Sequence, residues 1–220
     1  MTAILINQVP VTAKIKDLES FRRWAKSPDL PRHGWFSYLA SEVWVDVSLE
    51  ELFTHNRIKT AFSSVLAKLV RSEQRGYFFS DRTLLSNVDA DLSTEPDGAF
   101  VSFASIEQGT LKLVEDKKGA GYVELEGTPD MVLEIVSESS VRKDAEVLRE
   151  LYWTAGIPEY WLVDVRREPI RFDILRHTAR AYVPTRRKDG WVKSTIFGKS
   201  FSLQTSKDRL GHPEYDLQVM

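Results

Sequence analysis

The feature that most constrains the fold of this 220-residue chain is the sequence in which helix-like and strand-like hydrophobic patterns follow one another. Between Leu49 and about Ser72, apolar residues recur at the spacing of a helix with one buried face. The predicted inward-facing side chains are Leu52, Ile58, Phe62, Val65, Leu66, Leu69 and Val70. Short apolar runs follow, separated by turn-forming Gly, Pro, Asn and Asp, and then a second helical stripe spans about Ser140 to Thr154 before the strand EYWLVDV. This order predicts an α/β fold, a mixed central sheet flanked by helices with additional outer β-strands.

Shorter elements flank this core. Asp17 is placed to cap a helix that turns Leu18, Phe21 and Trp24 inward, and GWFSYLASEVWVDVS has the alternation of a hairpin. Three later runs, FDILRH, ARAYVPT and WVKSTIFG, predict a meander of outer strands, and the polar residues from Lys207 onward are expected to be loosely held. With no repeat or linker, we predict one domain over 1–220. Its core is about 49–165, preceded by a helix and hairpin (17–48) and followed by the meander (170–203).

Composition excludes several kinds of site. The chain has no cysteine, which rules out disulfides, thiolate metal ligands and a cysteine nucleophile. Its net charge of −2 argues against a protein that grips nucleic acid mainly by bulk charge. The apolar start, Met1 to Pro10, is short and lacks a basic leader, and no stretch approaches a membrane span. We therefore expect no signal peptide, no membrane partner and a cytoplasmic location.

One carboxylate stands in an apolar strand. Glu134 lies within the run MVLEIVS, and a buried charge there is costly unless it is paired or binds a metal. Strand alternation places Asp130, Val132, Glu134 and Val136 on one face, with Asp130 about 13 Å from Glu134 at roughly 3.3 Å per residue. That separation is too long for both to ligate one ion directly. A structural alternative is a Glu134 that pairs with Arg or Lys, or that lies on an edge strand facing water.

A shared metal ion would need a carboxylate from a neighbouring strand. Asp97, which opens the apolar run GAFVSF after Pro96, is the best candidate. Two carboxylates and several waters suit a hard cation, Mg²⁺ or Mn²⁺, which could polarise a phosphodiester and activate water. The predicted metal ligands are therefore Asp97 and Glu134.

Three segments together resemble a known family. TPDMVLEIVSESSVRKD, LYWTAGIPEYWLVDV and GWVKSTIFGKSFSL are similar to the Uma-two family of restriction endonucleases, within the PD-(D/E)XK nuclease superfamily. The likeness extends to HNRIKTAFSSVLAKLV, EPDGAFVS and FSYLASEVWV, and it covers the chain from about Asp17 to Leu203. The resemblance implies a restriction-endonuclease-like core, Mg²⁺ dependence and hydrolysis of DNA phosphodiester bonds.

The same resemblance assigns roles to the acidic residues. By motif position, Asp97 matches the strand carboxylate of the superfamily and Glu134 matches the acid of its (D/E)XK element. Asp130 matches the Pro-Asp just ahead of that acid. Because of its distance from Glu134, we expect Asp130 to orient a water or a basic side chain rather than the metal.

The chain departs from the family at the catalytic lysine. The superfamily places it two residues after the acid, which is Val136 here, and Uma-two proteins usually place it on the next helix, at Leu148 here. Lys143 or Arg149 could replace it, although at 100° per residue they lie about 140° and 100° around the helix from Leu148. Arginine could stabilise charge but could not act as a base. His55 could face the site, or it could be a hydrogen-bonded core histidine.

These observations leave three functions open. The first is a Mg²⁺-dependent DNA endonuclease that uses Asp97 and Glu134. The second is a catalytically impaired nuclease-fold module that binds metal or nucleic acid but lacks the usual lysine. The third is a nuclease acting on RNA or on branched DNA. A homodimer is expected only by analogy with nucleases that cut both strands.

Overall fold

The protein is described here by a computed structural model, which covers residues 4–6, 9–11 and 14–220. Strands β1 (Ile4–Ile6) and β2 (Val9–Val11) pair antiparallel. We expected that residues 1–10 do not form a signal peptide, and some of these residues lie outside the part of the chain that the structure describes. Within the described ranges, every helix is too short or too polar for a bilayer crossing.

An N-terminal sheet of six strands packs under the first helix. Its strands are β3 (Trp35–Leu39), β4 (Glu42–Asp46), β6 (Leu84–Asn87), β7 (Leu92–Thr94), β9 (Leu111–Glu115) and β10 (Tyr122–Gly127), in the spatial order β4-β3-β7-β6-β10-β9. Only β6 and β10 pair in parallel. Helix α1 (Leu18–Ala25) begins at a capping box formed by Asp17 and Ser20, and it buries Leu18, Phe21 and Trp24 as predicted.

The predicted hairpin is confirmed as β3–β4. Ala40 and Ser41 both have positive φ, 49° and 68°, as a tight two-residue hairpin turn requires. Strand β7 was missed by sequence reasoning because its three residues are too few to show a period.

The central sheet carries the candidate site. Its strands are β5 (Gly76–Ser80), β8 (Gly98–Ser102), β11 (Met131–Ile135), β12 (Glu159–Asp164), β13 (Arg171–His177) and β14 (Tyr182–Pro184), in the order β14-β13-β12-β11-β8-β5. Strands β11 and β12 are parallel and the other pairs are antiparallel, which confirms the predicted mixed sheet.

Helices cover both faces of the central sheet. Helix α2 (Arg57–Glu73) packs Ile58, Phe62 and Leu66 against one face, where Met131, Leu133 and Ile135 of β11 also point. Helix α4 (Leu148–Thr154) covers the other face, and a short helix, α3 (Phe103–Glu107), follows β8. Val132 and Val136 point toward α4, so the predicted alternation along β11 is confirmed. Glu134 lies on that same face.

Helices α2 and α4 are each preceded by a π-helical turn, and this corrects the sequence prediction. Leu52–Asn56 precedes α2, and Lys143–Val147 precedes α4. Because the π-helical turn shifts the helical position of the residues before α2, Leu52 is 64% exposed, although the apolar pattern predicted that it faces inward. Val141, also predicted on an inward stripe, is 39% exposed for the same reason. The α2 helix ends at Gln74, which takes the left-handed conformation expected of Gly76.

The C-terminal residues form a further sheet. Strands β15 (Arg187–Lys188), β16 (Trp191–Lys193), β17 (Ser200–Lys207) and β18 (Pro213–Val219) pair antiparallel in that order. The expectation of a loosely held end from Lys207 is wrong, because β18 pairs with β17 along its whole length and buries Leu217. Of the predicted meander, β13 and β14 belong instead to the central sheet. The single-domain division stays a prediction.

Candidate active site

The two predicted metal ligands lie at the same end of adjacent strands. Asp97 immediately precedes β8, and Gly98 is paired with Leu133 of β11, so Asp97 stands opposite Glu134. The Ile135 amide donates a hydrogen bond of 2.8 Å to Asp97 Oδ2. This bond fixes the Asp97 carboxylate against the β11 strand that carries Glu134.

Glu134 is a buried acid with one direct partner. Its side chain faces α4, only 2% of the residue is exposed, and the Tyr152 hydroxyl donates to Oε1 at 2.6 Å. Burial raises the pKa of Glu134 well above its usual range, and the charges of Asp144 and Asp97 raise it further. Lys143 and the Tyr152 hydroxyl oppose this rise. Glu134 therefore holds a proton more tightly than a free glutamate does.

Lys143 reaches this site because of the π-helical turn. The Leu148 amide donates to the Lys143 carbonyl five residues earlier, so the two residues nearly align along the helix. The 140° separation calculated for a regular α-helix is wrong for this segment. Burial lowers the Lys143 pKa, but the negative charges of Asp144, Glu134 and Asp97 more than offset this, so the pKa is raised. Lys143 is a permanent cation beside the acid pair.

Asp144 is a third buried carboxylate, and sequence reasoning missed it. It accepts a hydrogen bond from the Ser140 hydroxyl at Oδ2, and the Lys143 ammonium lies 3.5 Å from Oδ1. Within the described part of the chain, Oδ1 has no hydrogen-bond partner. Burial raises the Asp144 pKa to about 6. An aspartate one position after a lysine at a helix start carries no sequence signal of burial.

Two cations from the first core helix flank Asp97. The His55 Nε2 atom is 3.6 Å from Asp97 Oδ2, and the Lys59 ammonium is 3.7 Å from Oδ1. Glu50 contacts both cations, because its Oε1 atom lies 3.0 Å from His55 Nδ1 and 2.9 Å from the Lys59 ammonium. Burial raises the pKa of Asp97, but these cations outweigh it and the pKa is lowered. The pKa of Asp97 is therefore shifted in the opposite direction to that of Glu134.

Of these two cations, sequence reasoning left His55 open between the site and a hydrogen-bonded core position, and it missed Lys59. Lys59 is only 7% exposed. At 100° per residue it lies about 60° from Phe62, at the border of the apolar stripe. This position could have indicated that Lys59 is buried. A lysine so placed is normally taken for a solvated residue.

One cavity of about 530 Å³ is lined by the acid pair Asp97 and Glu134 together with Lys143, Asp144, His55 and Glu50. Its wall is strongly acidic: eight carboxylates face it, from Asp46, Glu50, Glu51, Glu95, Asp97, Glu134, Glu138 and Asp144. The basic residues in the same wall are His55, Lys143 and Arg166, and Arg166 is occupied by Asp164 and Glu138. An acidic cavity of this kind attracts cations and would repel a bare phosphate.

The donor set fits a hard divalent cation. In residues 14–220, no three His, Asp or Glu side chains are spaced to hold a metal on their own. Mg²⁺ usually keeps several waters and takes one or two carboxylates from the protein, which Asp97 and Glu134 can supply. Among the described residues, Asp144 Oδ1 and Glu95 Oε2 accept no hydrogen bond, and both residues line the same cavity, where these oxygens could accept from metal-bound water.

The structure places the other two predicted site residues outside this cavity. Asp130, at the opposite end of β11, accepts from the Ser102 amide at 2.7 Å and from the Ser105 hydroxyl at 2.9 Å. It therefore fastens the start of α3. Arg149 donates to the Tyr182 carbonyl at 3.0 Å and is not among the residues that line the cavity.

The fold defines a class of protein. A mixed central sheet covered by helices on both faces is a restriction-endonuclease-like core. The model of the Uma2 (Uma-two) family, described as "Putative restriction endonuclease", matches residues 18–206. The chain belongs to this family.

Comparison with solved structures supports the same fold class. A crystal structure described as a "putative nuclease belonging to DUF820" from Anabaena variabilis ATCC 29413 matches with a TM-score of 0.60. The match has 16% sequence identity and covers 83% of this chain and 90% of that chain. At this identity the likeness shows the fold, which confirms the predicted restriction-endonuclease-like architecture. No curated protein matches the sequence.

Proposed function

We propose that this protein is an endonuclease that hydrolyses DNA phosphodiester bonds with Mg²⁺ or Mn²⁺. The observation that carries the proposal is the meeting of Asp97, Glu134 and Lys143 in one cavity, on a fold of the nuclease family to which the chain belongs. Lys143 takes the place of the lysine that is absent at Val136 and Leu148. The family description supports DNA as the substrate.

Each residue has a role that follows from its surroundings. Asp97 and Glu134 would hold the cation, which supplies Lewis acidity toward the phosphodiester and a more acidic bound water. The Ile135 amide and the Tyr152 hydroxyl orient the two carboxylates. Because its pKa is raised, Lys143 stays protonated and stabilises negative charge on the phosphate rather than removing a proton from water.

The test is nicking of supercoiled plasmid with Mg²⁺ or Mn²⁺. We expect Glu134→Ala, Asp97→Asn and Lys143→Gln each to lower the cleavage rate at least about a hundredfold, as the loss of a preorganised charge at a reacting centre does. Arg149→Gln and Asp130→Asn are matched controls, a cation and a carboxylate outside the cavity, and should cleave like wild type. Equal nicking by wild type and Glu134→Ala would refute the proposal. Parallel arms with single-stranded RNA and a branched DNA junction compare the alternative substrates.

A second function is favoured by one observation. Lys59 and His55 already neutralise Asp97, so the protein could keep the fold without turnover, as a metal- or nucleic-acid-binding module. Calorimetric Mn²⁺ binding without cleavage of any nucleic acid would support it. Leu148→Lys gives a direct check, because cleavage gained only in this variant would identify the parent as an impaired enzyme.

Two other expectations stay predictions. A homodimer would suit cleavage of both strands, and light scattering on the purified protein tests it. The cytoplasmic location can be tested by fractionation of the cells that express the protein.

A further inference from the structure

A second cavity lies beside the acidic one, and its lining is aromatic. Its volume is about 580 Å³, between strand β5 of the central sheet and strands β9 and β10 of the N-terminal sheet. The side chains that form its walls include Tyr77, Phe79, Tyr122, Val123 and Leu113. We call it the aromatic groove. None of these residues has a part in the proposed metal site.

The aromatic rings of the groove are unusually exposed. Tyr122 is 63% exposed, Tyr77 is 46% exposed, and the adjacent Val123 is 43% exposed. The pairing of β10 with β9 shifts register between Tyr122 and Glu124, and such a bulge redirects side chains away from the sheet. Tyr77 also contacts Phe79, with ring centroids 5.9 Å apart. Exposed rings grouped in a concave site are typical of ligand contact rather than of core packing.

The charge of the groove suits a polyanion better than the acidic cavity does. Its one carboxylate, Glu124, is neutralised by Arg22 at 2.5 Å and by Lys26. Arg82 lines the groove and forms no ion pair within 4.0 Å among the described residues. Burial raises the pKa of the more distant Glu95 in the acidic cavity, and the charge of Arg82 opposes that rise. The guanidinium lies over the ring of Trp35, 5.4 Å from its centroid, and Trp35 lines the acidic cavity.

The groove and the acidic cavity are joined through a short stretch of backbone. Ser80 pairs with Gly98, and the Asp81 amide donates to the Asp97 carbonyl at 3.2 Å. Phe79 is two residues from Asp81, so their Cα atoms are at most about 7 Å apart. Tyr77 is four residues from Asp81, so their Cα atoms are at most about 14 Å apart. Even at the duplex rise of roughly 3.4 Å per nucleotide, a single strand covers that distance in about four nucleotides.

We propose that the aromatic groove binds an unpaired base of single-stranded DNA, next to the phosphate held at the acidic cavity. The inference rests on the proposed function, because it takes the strand to pass Asp97. A base would stack on Tyr122 and Tyr77, and Arg82 would contact the intervening phosphate. Stacking on aromatic side chains needs a base free of its pair, so the groove selects single-stranded or locally opened DNA over an intact duplex.

Binding is measured by fluorescence anisotropy in EDTA, so that neither cleavage nor a metal-held phosphate contributes and the groove is measured by itself. The probes are a fluorescein-labelled 12-nucleotide oligo(dA), an abasic strand of equal length and the duplex of the same length. We expect wild type to bind oligo(dA) more tightly than either of the others. Tyr122→Leu should weaken oligo(dA) binding about tenfold and leave abasic binding unchanged, whereas Tyr122→Phe should bind like wild type.

Arg82 gives an independent variant. It has φ of 54°, in the left-handed region that asparagine tolerates, so Arg82→Asn removes the charge without backbone strain. The loss of one phosphate contact should lower the slope of log affinity against log salt by about 0.7 for single-stranded DNA. The same slope change is expected with the abasic strand.

The outcomes separate this proposal from the proposed function. Unchanged oligo(dA) binding by Tyr122→Leu, equal weakening on the abasic strand, or a preference for duplex would each overturn the groove proposal, whatever the plasmid assay shows. Wild-type discrimination for oligo(dA) that depends on Tyr122, in a protein that with Mg²⁺ or Mn²⁺ cleaves neither plasmid nor oligo(dA), would support the groove and refute the nuclease.

Discussion

The Leu148 amide donates a hydrogen bond to the Lys143 carbonyl, five residues earlier in the chain. In a regular α-helix the partner would be Asp144, and Lys143 would point away from the face that Leu148 occupies. The π-helical turn therefore brings the Lys143 cation to the cavity of Asp97 and Glu134. Single π turns occur frequently at functional sites, and here the reason is geometric.

Removing one residue from this turn should uncouple Lys143 from the site. We expect deletion of Glu146, an exposed position, to close the segment as a regular α-helix and to turn Lys143 about 100° away. Plasmid nicking should fall to the level of Lys143→Gln, while circular dichroism shows the fold retained. Glu146→Ala keeps the chain length and serves as the control. Full activity in the deletion variant would show that the position of Lys143 is irrelevant.

Glu134 should lower stability as the pH rises. Its pKa is raised in the folded protein, so the folded state binds the proton more tightly than the unfolded chain, and stability falls as pH rises above the usual 4.5. Glu134→Gln keeps an acceptor for the Tyr152 hydroxyl and removes the loss of stability that ionisation of Glu134 causes. In EDTA we expect the variant to be more stable than wild type at pH 8 and to lose that advantage below pH 4.5, by urea unfolding. Equal stability at pH 8 would contradict this view.

His55 should contribute stability over a different pH range. Burial lowers its pKa, but Asp97 and Glu50 outweigh burial and raise it from 6.5 to about 9. A raised histidine pKa stabilises the fold fully below pH 6.5, and the contribution is lost as pH rises through 9. We expect the unfolding free energy of wild type, relative to His55→Gln, to fall by up to about 3 kcal/mol between those values. A flat difference from pH 6 to 10 would show that His55 is not paired.

The Tyr152 hydroxyl should tune metal binding without touching the metal. It orients Glu134 through a 2.6 Å hydrogen bond, and loss of such a partner typically lowers metal affinity 10- to 100-fold. We expect Tyr152→Phe to weaken Mn²⁺ binding by about that factor in calorimetry. Tyr182→Phe removes a buried hydroxyl that donates to the Ile157 carbonyl at 2.7 Å, and it should leave Mn²⁺ affinity unchanged. Equal losses in both variants would indicate a general effect of destabilisation.

The two residues of the acid pair could be predicted because local pattern marks each of them. A strand has a fixed period of two, so the position of Glu134 within MVLEIVS already determines its face. The Pro-Asp motif marked Asp97 as the best candidate for a second carboxylate, and the family resemblance pointed to the same residue. That β8 lies beside β11 is a long-range pairing, which the local pattern alone does not determine.

The cations could not be predicted in the same way. The position of Lys143 depends on one extra residue in a helical turn, which no propensity at that position indicates. Lys59 is buried because Glu50, Asp81 and Asp97 meet it from three separate segments, and only the tertiary fold brings these together. Asp144 depends on the same π-helical turn as Lys143.

Glu159 of β12 shows how the central and C-terminal sheets depend on each other. The residue is fully buried, and its carboxylate accepts from the Thr195 amide at 2.6 Å, the Ser194 hydroxyl at 2.7 Å and the Trp161 indole at 3.0 Å. If the segment around Ser194 separated from the central sheet, the Glu159 carboxylate would stay buried there without most of its hydrogen-bond donors, which is strongly unfavourable. Partial unfolding that releases only the C-terminal strands is therefore disfavoured. Truncation before Ser194 should cost the protein its cooperative folding, not merely its last strands.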